Sequence, residues 1–253
     1  MNRRMVLSAV GLLGVAGTAP RGARASSGTP EADAAADAAI VVPVEVSEWA
    51  IAPAQSVFRV GQAYRFDVAN RGKLTHEWVM EPAAANDQPL EREGGPDDEP
   101  AVSELEDIGP GATKSLTWSF TEPGEFKMVC HIEGHAEAGM TLPFTVIAEA
   151  KVVEVEATDF ALALGSDTVP AGSPVAFVVR NRGKVVHEFV LEPKGASDEP
   201  LQDGDRTGEI EDIEPGAVRE LIWTFAEPAA IQTTCHVEGH LEAGMIAYLD
   251  VAG

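Results

Sequence analysis

The sequence predicts an all-β protein made of two tandem β-sandwich domains, and three observations support this. Short apolar segments that alternate with period two, such as residues 64–68 and 115–120, recur between clusters of Gly, Pro and Asn. No segment carries a convincing amphipathic helical pattern. Nearly all of the chain after residue 40 also matches itself, so the same two-sheet antiparallel sandwich is expected twice.

The internal repeat sets the domain organisation. His76 matches His187 at an offset of 111 residues, whereas Cys130 matches Cys235 at an offset of 105. The six-residue difference falls after Pro82, so the first copy carries the longer loop. Roughly 100 residues per copy is enough for an independent core, and the short linker predicts that the copies touch. The predicted domains are residues 40–148 and 150–252.

The N-terminal segment has the features of a secretory signal. Arg3 and Arg4 precede an apolar run, and Ala23-Arg24-Ala25 supplies small residues for cleavage, so residues 1–25 are predicted to be a signal peptide similar to twin-arginine signals. Residues 26–39 lack periodicity and are expected to be a disordered leader. No segment reaches the roughly 20 apolar residues of a membrane span, and no cysteine is placed for a lipid anchor. We therefore expect a soluble protein in the periplasm or elsewhere outside the cytoplasm, once the signal peptide is cleaved.

The chain is strongly acidic. Its formal charge is -23, and removing residues 1–25 takes away four arginines and no acid, which leaves -27. Nucleic acid is excluded as a partner because its phosphates would be repelled. Two interpretations of the acidity stay open: solvation, as in a saline habitat, and steering of a basic redox partner.

Two repeated motifs carry metal-binding chemistry. Each places a thiolate, an imidazole and a thioether at C-x4-H-x4-M spacing, and each follows an earlier His in a matching context. Two imidazoles, one thiolate and a weak axial thioether form the ligand set that selects copper for one-electron transfer. Because the first His comes from a distant strand, each site can close only when its sandwich forms. The first set is His76, Cys130, His135 and Met140, and the second is His187, Cys235, His240 and Met245.

The chain has only two cysteines, and in an exported protein one disulfide is the default expectation. However, Cys130 and Cys235 occupy equivalent points of the repeat, and each is followed by its own His and Met. A disulfide would require two separate cores to meet at their metal sites. We therefore predict two free thiols that serve as metal ligands.

On these motifs, each copy resembles a cupredoxin, the blue copper fold, over about residues 40–148 and 150–252. The resemblance implies two Greek-key β-sandwiches and two type 1 copper ions per chain, held by the two ligand sets given above. Many cupredoxins have Pro where this chain has Glu133 and Glu238, and these carboxylates bear on partner choice and potential. The His-Glu-Trp and His-Glu-Phe segments and the Gly-His-x-Glu-Ala-Gly-Met ending resemble periplasmic cupredoxins linked to copper tolerance.

The Cys-His dipeptide raises an enzymatic alternative. In copper nitrite reductases and multicopper oxidases, which resemble this chain in their domains, the residue after the Cys carries electrons to a catalytic copper. Strand alternation turns His131 and His236 away from the predicted type 1 sites, where they could bind another metal. The chain has six His, and four are already used. Because too few remain for a catalytic centre, we predict that the protein is not an enzyme and that these two His lie on the surface.

Two functions remain open. The first is an electron carrier whose two coppers exchange single electrons with a redox protein, and the alternative is a copper-binding protein of copper tolerance.

Two residues before each Cys, the copies differ: Met128 is a thioether, whereas the hydroxyl of Thr233 could donate a hydrogen bond to the thiolate. The two potentials are therefore predicted to differ, with their order left open. The sequence does not define an oligomeric state.

Overall fold

The computed structural model describes residues 39–93 and 100–253. None of these residues forms a helix, so the all-β prediction is confirmed. The predicted signal peptide and almost all of the predicted leader lie outside the described residues. The strands of the first copy are β1 Ile40–Ser47, β2 Ala50–Pro53, β3 Val57–Arg59, β4 Ala63–Asn70, β5 His76–Pro82, β6 Glu91–Arg92, β7 Ala101–Val102, β8 Glu104–Ile108, β9 Thr113–Ser119, β10 Gly124–Val129 and β11 Thr141–Ile147.

These strands form two packed sheets, with orders β2-β1-β4-β9 and β3-β11-β10-β5-β8, while β6 and β7 form a separate ribbon. The sandwich is as predicted, but it is not purely antiparallel, because β1 pairs with β4 and β3 pairs with β11 in parallel. Between β1 and β4 the chain passes through β2 in the same sheet and β3 in the opposite sheet. It therefore returns to the first sheet in its original direction.

The second copy repeats this topology, with sheet orders β13-β12-β15-β20 and β14-β22-β21-β16-β19 and a β17-β18 ribbon. The six additional residues of the first copy lie between β5 and β8, where residues 83–103 correspond to 194–208. The strands of the second copy are β12 Lys151–Thr158, β13 Ala161–Leu164, β14 Thr168–Pro170, β15 Pro174–Asn181, β16 His187–Pro193, β17 Gln202–Asp203, β18 Arg206–Thr207, β19 Glu209–Ile213, β20 Val218–Thr224, β21 Ala229–Thr234 and β22 Ile246–Ala252.

Each sandwich encloses its own apolar core. In β1 every second residue is buried, from Ile40 to Val46, which is the period expected of a strand with one face inward. Phe58 lies at the centre of the first core, with its ring 5.0 Å from that of Tyr64 and 5.3 Å from that of Phe144, both edge-on. Burial of such aromatic side chains dominates the stability of a core of this size.

The two copies touch through a buried ion pair. The Glu220 carboxylate on β20 accepts hydrogen bonds from Arg59 Nε at 2.7 Å and from the Tyr64 hydroxyl at 2.6 Å, both in the first copy. Val178 on β15 also packs into the first core. At the position of Val178 the first copy has the polar Asp67, and at the position of Glu220 it has the shorter Ser115, and both are more exposed than their counterparts. One sheet face of the second copy is therefore adapted to cover the first.

Candidate metal centres

In each copy a turn held by an asparagine side chain positions the first His of the set. Asn70 ends β4, and its amide Nδ2 donates to the carbonyls of Leu74 and Ile108, at 2.7 Å each. Its Oδ1 accepts the Gly72 amide at 2.8 Å. Asn181 makes the same three contacts in the second copy. This turn reverses the chain and starts β5 or β16 with the His side chain facing inward.

A compact loop delivers the other three residues. Cys130 directly follows β10, and Met140 directly precedes β11. Within the loop the His135 amide donates to the Ile132 carbonyl at 2.9 Å and the Met140 amide donates to the His135 carbonyl at 3.0 Å. The Cys130 amide then donates to the Met140 carbonyl at 3.2 Å, which closes the loop. The loop of the second copy has equivalent bonds.

In the first centre the donor atoms of His76, Cys130 and His135 converge within 4.8 Å of one another. The Nδ1 atoms of His76 and His135 are 3.3 Å apart, and Cys130 Sγ lies 3.4 Å from His135 Nδ1. All three side chains are buried, as is Met140.

The second centre repeats this arrangement with His187, Cys235 and His240. Cys235 Sγ lies 3.3 Å from His240 Nδ1 and 3.9 Å from His187 Nδ1. Met245 is buried. In each copy the structure thus brings together three of the four predicted donor atoms, and the predicted Met is buried at the end of the same loop.

The spacing of the three donors in each centre fits a single metal ion bound in their plane. For bonds of about 2.0 Å to nitrogen and about 2.3 Å to sulfur, three ligands in one plane would lie about 3.5 to 3.7 Å apart. The observed separations of 3.3 to 3.9 Å bracket that range. Two imidazoles and a thiolate with a methionine nearby form the donor set of type 1 copper.

Main-chain amides also approach both sulfurs. The Glu77 amide donates to Cys130 Sγ at 3.4 Å, and the Glu188 amide donates to Cys235 Sγ at 3.3 Å. The residue after the first His therefore supports the thiolate through its backbone. Hydrogen bonds of this kind withdraw charge from a coordinating sulfur and so adjust the potential of its metal. Glu133 and Glu238, by contrast, have exposed side chains on the ligand loops.

The surroundings favour neutral groups when no metal is bound. Burial, followed by the neighbouring His135, lowers the pKa of His76, and burial and His240 act in the same way on His187. Burial raises the pKa of the Cys130 and Cys235 thiols. The imidazoles of His76 and His187 are therefore ready to coordinate, whereas each thiol must release a proton as a metal binds.

In each copy a carboxylate is hydrogen-bonded to the turn that precedes the first His. Glu48 accepts the amides of Lys73 and Leu74, the latter at 2.9 Å. Asp159 accepts the Lys184 amide at 2.5 Å. The Nε2 atoms of both first His residues are buried and, among the described residues, have no hydrogen-bond partner.

The prediction that His131 and His236 are surface residues is wrong. Only 16% and 14% of their side-chain surfaces are exposed. Each Nε2 lies 3.4 Å from a fully buried carboxylate, Glu81 in the first copy and Glu192 in the second. Both residues lie just beyond the ends of β10 and β21, and the loops after β5 and β16 reach the same carboxylates, because the Gln88 amide donates to Glu81 and the Glu199 amide donates to Glu192.

The expected hydrogen bond from Thr233 to the thiolate is not formed. Met128 and Thr233 are both buried. Thr233 Oγ1 has no hydrogen-bond partner within the described part of the chain, and the neighbours of Cys235 Sγ are the Glu188 amide and the two His rings. The two residues therefore act as core side chains at this position.

Within residues 39–93 and 100–253, the two centres are the groups of three or more His, Cys, Asp or Glu whose donor atoms converge. Both cysteines are free, as predicted. No helix in the described segments is long and apolar enough to cross a membrane.

Sequence reasoning missed one neighbour of the first centre. The Trp49 ring meets the His135 ring edge-on, with centroids 5.4 Å apart, and about half of its surface is exposed. Phe160 is the counterpart of Trp49 along the repeat and is also exposed. The sequence did carry a signal for this neighbour. In each copy an aromatic residue follows an acidic residue between the first two strands.

Comparison with known proteins gives three curated relatives, while no protein-family profile matches the chain. All three are named copper-resistant cuproprotein CopI. The protein from Vibrio cholerae is 27% identical and covers 51% of this chain and 80% of the relative. The one from Rubrivivax gelatinosus is 34% identical over 31% of this chain and 52% of the relative. The one from Pseudomonas aeruginosa is 28% identical over 43% of this chain and 80% of the relative.

Solved structures with a related fold include two auracyanins and a multicopper oxidase. The auracyanin from Roseiflexus castenholzii has a TM-score of 0.33 at 20% identity, covering 42% of this chain and all of that chain. Auracyanin B has a TM-score of 0.34 at 23% identity, covering 42% of this chain and 94% of that chain. The oxidase has a TM-score of 0.31 at 16% identity and covers 84% of this chain and 88% of that chain.

These comparisons confirm one expectation and correct another. The resemblance to cupredoxins is confirmed by the named cuproproteins together with the two His-Cys-His groups. The prediction that the protein is not an enzyme is corrected, because an oxidase is among the matched structures and spans most of this chain. The TM-score of 0.31 is too low to assign an oxidase activity to this chain.

Proposed function

We propose that the chain is an exported blue copper protein that binds two type 1 copper ions and passes single electrons between redox partners. One ion would lie in each predicted domain, residues 40–148 and 150–252. The observation that carries the proposal is the pair of buried His-Cys-His groups, each with a buried Met on the same short loop. Copper in such a site supplies one-electron chemistry between its two common oxidation states.

The protein's contribution is to hold the ligands in place. Each first His begins a strand of the second sheet, and the other three residues lie on a loop closed by main-chain hydrogen bonds. A site fixed in this way changes little between oxidation states, which keeps electron transfer fast. The hydrogen bonds from the Glu77 and Glu188 main-chain amides to the two sulfurs orient the thiolates and withdraw charge from them.

Electrons would enter and leave at the loop His of each set. His135 and His240 are 6% and 9% exposed, whereas the other six predicted ligand residues are 0% exposed. The ring edges of these two His therefore form the shortest route to solvent. The acidic surface around them suits a basic redox protein as partner.

A second candidate function is copper tolerance, in which the same sites would buffer the metal. It is favoured by the names of the three relatives, which are copper-resistance proteins. The ligands are identical in the two cases, so ligand variants cannot distinguish them.

Deletion of the gene separates the two functions. We expect reduced respiratory electron flux with near-normal growth on copper if electron carriage is the main role. Growth that fails only on added copper, with unchanged flux, would favour tolerance instead. Turnover of a phenol or of nitrite by the purified copper-loaded protein, measured in parallel, would assign an enzymatic role in place of both.

A further inference from the structure

In each copy, a polar layer on the outer face of the second sheet contains a fully buried carboxylate that lies next to the His following the candidate site cysteine. In the first copy it is built on Glu81, which faces Lys127 across the β5–β10 ladder. Lys127 Nζ lies 3.1 Å from Glu81 Oε1, and His131 Nε2 lies 3.4 Å from Glu81 Oε2. The side chain of Glu81 is fully buried. The negative charge of the carboxylate is thus balanced by an ammonium group.

The second copy keeps the carboxylate and loses the ammonium. Gln232 faces Glu192 across the β16–β21 ladder, in the position of Lys127. Glu192 Oε1 accepts hydrogen bonds from Gln232 Nε2 at 2.8 Å and from Thr234 Oγ1 at 2.9 Å. His236 occupies the position of His131 at the same 3.4 Å. The Gln232 amide and the Thr234 hydroxyl, which donate to Glu192, carry no charge.

Both carboxyl groups are held in the ionised form. Burial by itself would raise the pKa of Glu81, but the Gln88 amide and Lys127 outweigh it and hold the pKa below its usual range. Burial is likewise outweighed at Glu192, where Gln232, the Glu199 amide and Thr234 lower the pKa. Because an equivalent imidazole is present in both copies, the layers differ by one unit of charge, the ammonium of Lys127.

We propose that this difference in charge sets the order of the two reduction potentials, with the first centre the more easily reduced. The inference rests on the proposed two-copper function. Lys127 and Gln232 would then be residues that adjust the potential without contacting the metal. A single electron would pass from Cu(I) in the second centre to Cu(II) in the first, so that the second centre is oxidised and the first is reduced.

The direction follows from electrostatics. Cu(II) carries one more positive charge than Cu(I), so a nearby uncompensated carboxylate favours the oxidised ion and lowers its potential. Charges inside a protein are screened less than charges in water, so a buried charge acts over several ångströms. We expect an effect of about tenfold on the electron distribution, which corresponds to about 59 mV for one electron.

The test uses variants with one centre each. Cys235→Ser retains only the first centre and Cys130→Ser only the second, and each is titrated with a redox mediator while its thiolate absorption is recorded. We expect a higher potential for the first centre. Lys127→Gln should lower the reduction potential of the first centre. Gln232→Lys and Glu192→Gln should each raise the reduction potential of the second centre. Lys127→Arg, which keeps the charge, should restore the original value.

Lys114→Gln is the matched control, because it removes the same charge from β9 in the other sheet, where Nζ binds the Glu106 carbonyl. It should leave both potentials unchanged. Urea unfolding of each metal-free variant identifies the folded ones, and copper content is measured for all. Equal or reversed potentials in a protein that holds two coppers would overturn this inference alone. Fewer than two coppers in the unmodified protein would instead overturn the function on which it rests.

Discussion

Gly183 lies where the backbone passes closest to a ligand ring. A Cβ at this position would lie 2.8 Å from His187 Nε2 and 3.1 Å from the Asp159 amide nitrogen, so an added methyl group must displace the ring or the backbone. The equivalent Gly72 would instead meet the Glu48 carboxylate at 2.7 Å, and this flexible side chain can move. The same substitution should therefore have unequal effects on the two centres.

We predict that Gly183→Ala weakens copper binding at the second centre by about tenfold or more, since small misplacements of a ligand are costly. Gly72→Ala should have a smaller effect on the first centre. Competition with a copper chelator, in proteins that carry one centre each, measures both. Gly109→Ala is the control, because an added methyl group there meets no atom within 4 Å. Equal losses in the three variants would contradict the prediction.

Glu192 should make the second copy sensitive to acid. Its folded-state pKa is lowered, so it contributes stability above the ordinary glutamate pKa of about 4.3, and this stability is lost as the pH falls through the folded value. Glu192→Gln should therefore reduce stability near neutral pH by about 1 to 3 kcal/mol. The difference between the two proteins should shrink as the pH falls below the folded-state pKa of Glu192. Urea unfolding of the metal-free forms at neutral and at acid pH checks this, and a constant difference would argue against it.

At the scale of single residues, the sequence predicted which side chains would converge, but not what surrounds them. The repeated spacing placed Cys130 and Cys235 beside their His partners because the loop between two adjacent strands carries three of the four predicted ligand residues. The partners of His131 and His236 were not predictable, since Glu81 and Glu192 come from other strands. Alternation indicates which way a side chain points, but not what covers it.

The ligand loop is the element that makes each centre independent. Its hydrogen bonds run within one copy, and the first His begins a strand of the same sheet. We predict that Cys130→Ser removes one copper and leaves the other centre intact, with about half of the thiolate absorption. Cys235→Ser is the reciprocal control. Complete loss of colour in either single variant would indicate a site shared between the copies.

The strands themselves were predicted better than their pairing. Period-two alternation indicated β4 and β9, and both are strands in the structure. The parallel β1–β4 and β3–β11 pairs were missed, because the direction in which a strand returns depends on the crossover between sheets. That crossover leaves no periodic pattern in the sequence.

At the scale of the whole molecule, Glu220 joins the two copies. Removing one partner of a buried ion pair leaves the other uncompensated, so Glu220→Ala should lower the free energy of unfolding by about 3 to 5 kcal/mol. Asp67→Ala, which breaks the more exposed pair with Arg65 on the corresponding face, should cost at most about 1 kcal/mol. Urea unfolding compares them, and similar losses would mean that the contact between copies contributes little.

The contact between copies could have been inferred in part. Residues 175–179 of β15 are all apolar, and such a run predicts burial on both faces of a sheet. The partners Arg59 and Tyr64 were not predictable, because the first copy contributes them from β3 and β4 rather than from the matching face. A duplicated sequence thus indicates two similar domains without defining how they meet.

The central claim is that one chain holds two type 1 copper ions, and the most direct measurement is the copper content of the purified, copper-loaded protein together with its visible spectrum. We expect two copper ions per chain and intense blue or green thiolate absorption. That absorption should be shared by two centres that titrate separately. One ion per chain, or two ions without the thiolate absorption, would contradict it.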